Sequence, residues 1–511
     1  MAFEKNIADH EARTRHALEM GGAKRLEKQK ALGRLNARQR LDYLLDPGSF
    51  AEVGMFARGE DRSEWDSTPA DGKVCGYGKI DAREVAVVSH DITVMGATSS
   101  RVNVRKMSHM RRNAVANGIP LVLLNESSGA RMPETMGAIG MGSLGQDATQ
   151  FVRMREVNYV SAVLGPAFGT AGWFTQLSDF VVMRKDAYLS IVSPKVTEIA
   201  INQKVDPQEM AGWRMQTEVT GKVDQVVDTD EEALDLVKKF LSYMPSHHNE
   251  TPPMASVPNG SDDAAEGILQ IVPEGRSKVY DARKVVAAIA DKGSVFSMKD
   301  RFARTAYTAL GRINGQVIGF VASNPFFKAG ALDPDACDKI TTFLILCDSF
   351  NIPLVLLVDT PGFLIGPEGE RKKAPGKIMN FMSALQMCTV PKFSIVMRKS
   401  YGQAYLNMGG TRNSDEMGAW FTADVGFMDP NVGVNVVHGV RYEDDPDRFK
   451  ALVEDMSRET SAYDLAGLFA AQAVLDPRAS RKWLARMLEV HKRRPGKGIG
   501  KHLLCGWPTT L

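Results

Sequence analysis

An α/β protein built from one domain used twice is the fold class this 511-residue sequence predicts, and three observations carry it. The hexapeptide Ile-Pro-Leu-Val-Leu-Leu stands at Ile119 to Leu124 and again at Ile352 to Leu357, 233 positions later. Further matches follow in order. Gly169-Thr170-Ala171 answers Gly402-Gln403-Ala404 at the same spacing; after a three-residue insertion Ser178-Asp179 answers Ser414-Asp415, and Ser193-Pro194-Lys195-Val196 answers Asp429-Pro430-Asn431-Val432. An ordered series of this kind is the mark of tandem duplication. Finally, β-branched apolar runs alternate with amphipathic stretches of helical spacing, the pattern of strands joined by helical crossovers.

Taken in order, residues 1–43 are rich in Ala, Leu, Lys and Arg with apolar residues at helical spacing, ended by Asp46-Pro47-Gly48; one or two helices outside the repeated core are expected. Strands are expected at Val85–Ser89 and Ile92–Met95, followed by a helix over Val102–Asn117 and a strand over Leu121–Asn125. A helix near Ala148–Asn158, a strand at Val160–Leu164, a glycine-rich turn with its helix up to Gln176, and a strand at Phe180–Met183 complete the first copy. In the second copy Asp335–Asn351 mirrors the long helix, and a helical tail follows Ala473. The expected division is 1–245, a polar linker at 246–262 rich in Pro, Asn, Ser and His, and 263–511. The basic stretch Lys492–Lys501 reads as a solvated end.

With 44% hydrophobic and 24% charged residues, the composition is that of an ordinary globular protein. A net charge of +2 gives no polyelectrolyte signal, so neither nucleic acid nor an acidic membrane surface is an expected partner. The cysteines (Cys75, Cys337, Cys347, Cys388 and Cys505) are odd in number and lack CxxC spacing, which argues for reduced thiols over disulfides or structural zinc. No apolar run reaches the length of a membrane span and the N-terminus does not read as a signal peptide, so a cytoplasmic location is expected.

Most familiar catalytic patterns are missing: there is no GxSxG elbow, Walker A loop, HExxH or convincing dinucleotide turn. Gly137–Gly142 is glycine-rich but does not sit between a strand and a helix. The distinctive feature is the paired turn Gly169-Thr170-Ala171 and Gly402-Gln403-Ala404, each after an apolar strand and before a helix. Backbone N–H groups at a helix start lack intrahelical acceptors and lie at the positive end of the macrodipole. Such a turn can hold negative charge growing on a carbonyl oxygen. The structural alternative, a helix start packed tightly on its strand with glycine as spacer, explains one such turn well and two in register less well. Two anion sites suit a reaction between two carbonyl compounds. Asp359 and Glu126 each follow a repeated strand and stand between catalysis and turn capping; Arg131 stands between phosphate binding and an internal ion pair. His90, His109 and His438 have no neighbours at metal-ligand spacing and read as structural, and no metal is expected. Tyr401 and Tyr405 flank the second turn and stand between pocket and core.

Several motifs together resemble one family. They are Leu35-Asn-Ala-Arg-Gln-Arg-Leu41 with Asp46-Pro-Gly-Ser-Phe50, Ser128-Gly-Ala-Arg131, Gly165-Pro-Ala-Phe-Gly-Thr-Ala171, Asn324-Pro325, Ala329-Gly-Ala-Leu-Asp333, Phe350-Asn-Ile-Pro-Leu354, Asp359-Thr-Pro-Gly-Phe363 and Arg398-Lys-Ser-Tyr-Gly402. Across nearly its whole length the chain resembles the carboxyltransferase β subunits of biotin-dependent acyl-CoA carboxylases, most closely the propionyl-CoA carboxylase type. The resemblance implies two tandem crotonase-like (ClpP/crotonase) domains of repeated ββα units, assembled through dimers into a hexamer with the site between subunits.

It further implies that the acyl-CoA thioester is held as an enolate by the amides of Gly169 and Thr170, with coenzyme A as substrate handle. The urea oxygen of carboxybiotin falls to Gln403 and Ala404 beside Gly402, with Tyr401 and Tyr405 near the biotin and Ser128, Gly129, Ala130, Arg131 and Leu406 on the substrate. The chain lacks a biotinylation sequence and an ATP-grasp region, so a biotin carboxylase and biotin carrier α subunit is the implied partner. The family usually carries Gly-Gly at both turns and an Asp where this chain has Leu406, which leaves the acyl group open. A decarboxylase or transcarboxylase of the same fold, and a non-catalytic assembly subunit, are the other readings.

Overall fold

The computed structural model describes residues 3–143, 151–275, 277–492 and 499–508. The chain forms two compact units, Met1–His248 and Asn249–Leu511. The first contains strands β1 (Ala51–Val53), β2 (Lys73–Ile80), β3 (Arg83–His90), β4 (Leu121–Ser127), β5 (Tyr159–Phe168), β6 (Phe180–Arg184), β7 (Tyr188–Ser190) and β8 (Gln225–Val227). The second contains β9 (Phe296–Met298), β10 (Ala306–Ile313), β11 (Gln316–Ser323), β12 (Leu354–Thr360), β13 (Lys392–Tyr401), β14 (Glu416–Trp420), β15 (Asp424–Gly426) and β16 (Ala473–Leu475). Each unit makes one sheet in the same order: β1-β2-β3-β4-β5-β6-β8 with β7 on β5, and β9-β10-β11-β12-β13-β14-β16 with β15 on β13. The first three strands of each are antiparallel and the rest parallel.

The duplication holds in the backbone. Leu121 of β4 and Leu354 of β12 are 233 apart, as are Tyr159 of β5 and Lys392 of β13; Phe180 of β6 and Glu416 of β14 are 236 apart. A ladder irregularity falls between Asn125 and Ser127 in one unit and between their mates Val358 and Thr360 in the other. The long helices start on capping residues, Ser100 with Asn103 and Asp333 with Ala336. The next left-handed residues are repeat mates, Gly118 (φ 64°) and Asn351 (φ 61°), the two residue types that tolerate this conformation. Lys106 on the first long helix gives its ammonium to the carbonyls of Gly54, Ala70 and Lys73, and its mate Lys339 does the same for Phe302 and Ala306. Both lysines tie a helix to the start of the second strand, β2 or β10.

The central strands are buried on both faces, as parallel strands between helical layers must be. Met107, Met110 and Ala114 pack on Val88, Leu121 and Leu123 in the first unit. In the second, Val285, Val286 and Ile289 pack on Val355, Leu357, Phe393 and Trp420.

Several local expectations give way. Residues 4–44 hold three helices, Glu4–Leu18, Ala23–Ala31 and Ala37–Leu44. Ile92–Met95 is not a strand: Asp91 accepts from the Thr93 backbone N–H, and Met95, Gly96 and Ala97 all adopt positive φ. Of the helix expected near Ala148–Asn158, residues 148–150 lie outside the described residues. Beyond Phe151 the chain is irregular, because Arg155 has φ 42° and the buried Arg153 reaches the Val157 and Leu177 carbonyls and Asp179. Within the expected linker, Pro253 and Ala255 hydrogen bond to the β10–β11 hairpin at Arg312 and Gly315.

Candidate functional site

Both paired turns sit where a long parallel strand ends. β5 ends at Phe168 and the helix Thr170–Gln176 begins after Gly169; β13 ends at Tyr401 and the helix Gln403–Asn407 begins after Gly402. Gly169 has φ 61° and ψ −123°, and Gly402 φ 60° and ψ −147°, a backbone that any Cβ would strain. This matching geometry turns the chain sharply from strand into helix at both places.

One donor shifts. The Gly169 N–H donates to the Ile191 carbonyl at 2.9 Å, and the Gly402 N–H donates to the Gly426 carbonyl at 3.0 Å. Each glycine amide thus continues a parallel ladder, to Ile191 just after β7 and to Gly426 at the end of β15. At the first turn the Gly169 amide is therefore taken, and the amides without intrahelical acceptors begin with Thr170 and Ala171, the first two helical positions. At the second they are those of Gln403 and Ala404. The two pairs are repeat mates, a register already present in the sequence.

The loops after β4 and β12 also match. The Ser127 hydroxyl accepts from the Gly129 N–H, and the Thr360 hydroxyl from the Gly362 N–H, each at 3.2 Å. Gly129 and Gly362 adopt φ 112° and 125°. Ser128 and Ala130 are exposed and Gly129 half-buried, so this loop can meet a ligand through its backbone. Arg131 cannot do so through its side chain. Its guanidinium is buried, 2.8 Å from Asp71 and 3.1 Å from Glu134, and serves as an internal ion pair.

The two carboxylates weighed for catalysis are structural. Glu126 is buried against Arg40 (2.8 Å) and Arg34 (3.2 Å), and its mate Asp359 against Arg398 (2.7 Å) and Lys399 (3.6 Å), with the Tyr280 hydroxyl donating at 2.9 Å. His90 is buried beside Glu126, and burial pushes its pKa well below the ordinary imidazole value, so it stays neutral. Tyr401 corrects toward the core: it is 1% exposed and its hydroxyl donates to Asp424 at 2.7 Å. Tyr405 is half-buried with its hydroxyl on the Met417 sulfur. Gln403 is exposed with its amide on Asn407, and Leu406 is half-buried. Two cavities in the second unit, of about 540 and 660 Å³, contain none of these residues.

Sequence reasoning missed Lys73. It is fully buried and donates to the Ala97 carbonyl at 2.7 Å, beneath the positive-φ loop Met95–Ala97. Burial lowers its pKa from 10.5 to about 7. Between those values the unfolded chain binds a proton that the folded chain does not, so this group's contribution to stability rises with pH from about 7 toward 10 and is lowest below 7. Urea unfolding of the native protein and of Lys73→Met should diverge across that window. The native protein should gain up to ~1 kcal/mol per pH unit that the variant does not.

Among the described residues no group of His, Cys, Asp and Glu could hold a metal ion, and no helix is long and apolar enough to cross a membrane. The carboxyl transferase domain model matches residues 28–502. The chain is 33% identical to the carboxyltransferase subunit of propionyl-CoA carboxylase from Haloferax mediterranei, over 98% of this chain and 99% of that one. It is 34% identical to the methylmalonyl-CoA carboxyltransferase 12S subunit of Propionibacterium freudenreichii subsp. shermanii, over 96% and 95%. Its fold matches a transcarboxylase 12S structure, described as a hexamer with methylmalonyl-CoA and methylmalonic acid bound, with a TM-score of 0.88 at 31% identity over 98% and 99% of the two chains. The two sheets are thus tandem crotonase-like domains, and the chain belongs to the carboxyl transferase family.

Proposed function

We propose that the protein is the carboxyltransferase subunit of a biotin-dependent acyl-CoA carboxylase. The observation that carries this reading is the pair of equivalent turns, each presenting two amides without intrahelical acceptors: Thr170 and Ala171 in one unit, Gln403 and Ala404 in the other. The first turn is rimmed by exposed apolar side chains, Trp173, Ile191 and Val192, which suits an acyl thioester. Its amides would hold the thioester oxygen as charge moves onto it, with the α-proton passing to the biotin ring nitrogen left when its carboxyl group departs. No buried carboxylate is needed as base, in keeping with the ion-paired state of Glu126 and Asp359. The second turn carries the exposed polar side chain of Gln403 and would hold the ureido oxygen of biotin. Biotin, brought by a biotin carboxylase and carrier subunit, supplies the carboxyl group when bound.

Self-association into a dimer-based hexamer is part of the proposal. Ile191, Val196 and Ile199 beside the first turn, and Phe427, Val432 and Val436 beside the second, form equally placed exposed apolar faces that a second copy would cover. Five free, buried cysteines fit a cytoplasmic location. The relative named as a methylmalonyl-CoA carboxyltransferase keeps a second reading in play, transfer between two acyl-CoA pools without ATP. Purification of the tagged protein from its host, probed with streptavidin, distinguishes the partners. A co-purifying biotinylated subunit that also carries biotin carboxylase activity is expected. A biotinylated subunit without that activity would favour transcarboxylation, and no biotinylated partner would contradict both.

A further inference from the structure

Trp173 stands three residues after Thr170, at the repeat position of Leu406. Helical side chains lean toward the N-terminus and over the residue three back, so this indole leans over the Thr170 face of the turn. The Trp173 backbone N–H bonds the Gly169 carbonyl at 3.0 Å, which fixes the residue one turn from the donor amides. The ring is 45% exposed, yet it is braced. Phe151 meets it edge-on at 6.4 Å and stacks in turn on the buried Phe174 at 5.9 Å. The indole N–H has no acceptor among the described residues, whereas Trp65 and Trp420 donate to Gly59 and Ser480. A large aromatic packed edge-on against a neighbouring ring, left half open and with its donor unused, is suited to contact a ligand.

We infer that Trp173 is a specificity-determining residue that stands against the acyl chain at the first turn and favours short chains. The inference rests on the reading above, in which the first turn takes the acyl-CoA. Straight-chain thioesters from propionyl- to octanoyl-CoA should bind the native protein with affinity falling once the chain meets the indole. Trp173→Ala removes the indole at an exposed position and leaves every turn amide in place.

Calorimetric titration of both proteins with propionyl-, butyryl-, hexanoyl- and octanoyl-CoA tests this directly. The octanoyl-to-propionyl affinity ratio should rise roughly 10-fold or more in the alanine variant, the scale of relieving a mis-sized apolar pocket. Trp173→Phe should keep the native ratio. An unchanged ratio in Trp173→Ala would overturn the inference while leaving the function intact. So would a change confined to assembly state in sedimentation, which would make Trp173 an interface residue. Failure of the native protein to bind any acyl-CoA would instead overturn the functional reading on which the inference stands.

Discussion

Replacing Thr170 with proline is expected to lower carboxyl transfer by roughly 10²- to 10³-fold, the scale of losing one oxyanion donor. Thr170 is the first helical residue, where proline is well tolerated and its ring φ suits the helix. The substitution therefore deletes one N–H with little cost to the fold. Thr170→Gly keeps the amide and should keep most of the activity, which separates the backbone donor from the hydroxyl. Gln403→Pro makes the same deletion in the second unit and should impose a loss of similar size. Circular dichroism and the sedimentation profile should match the native protein in all three. A fully active Thr170→Pro would remove the first turn from the mechanism.

Asp359→Ala should cost about 3–5 kcal/mol of stability, the usual result of stripping one partner from a buried ion pair. The change leaves the buried Arg398 guanidinium facing Tyr280 without its carboxylate, although three backbone carbonyls, from Pro273, Gly275 and Lys278, still accept from it. Urea unfolding measures this loss. If Asp359 were instead a catalytic base, the variant would lose turnover at unchanged stability. Removal of the mate Glu126 should cost less, since the buried Arg40 keeps its ion pair with Asp230 at 2.8 Å.

The architecture was legible because duplication writes itself into register. The spacings of 233 and 236 hold for six of the eight strand pairs, and their matches at β4/β12 and β5/β13 were enough to locate the two turns. What failed was decided by partners far along the chain. Residues 151–158 carry apolar positions at helical spacing, yet the bonds from Arg153 to Leu177 and Asp179 hold them irregular. β2 was hidden by Gly76 and Gly78, residues depleted from strands in general; a Cβ on Gly76 would strike Ala51 and one on Gly78 would strike Leu45.

At the site, Arg131 beside a glycine loop looked able to reach a phosphate, and only the fold brings Asp71 to it. Tyr401 lay next to the turn in sequence, but its strand position points it inward to Asp424. The Gly169 amide was expected as a donor because its ladder bond to Ile191 is set by the distant β7 and cannot be read from the turn's own residues.

The central claim is that two turns hold two anions in one reaction. Transfer of a labelled carboxyl group from methylmalonyl-CoA to free biotin by the purified protein tests it most directly, because no partner subunit is required. The account predicts label on biotin with the native protein, and a loss of roughly 10²-fold or more in both Thr170→Pro and Gln403→Pro. Equal transfer by the native protein and both variants, or no transfer by a native protein that binds the acyl-CoA, would contradict it.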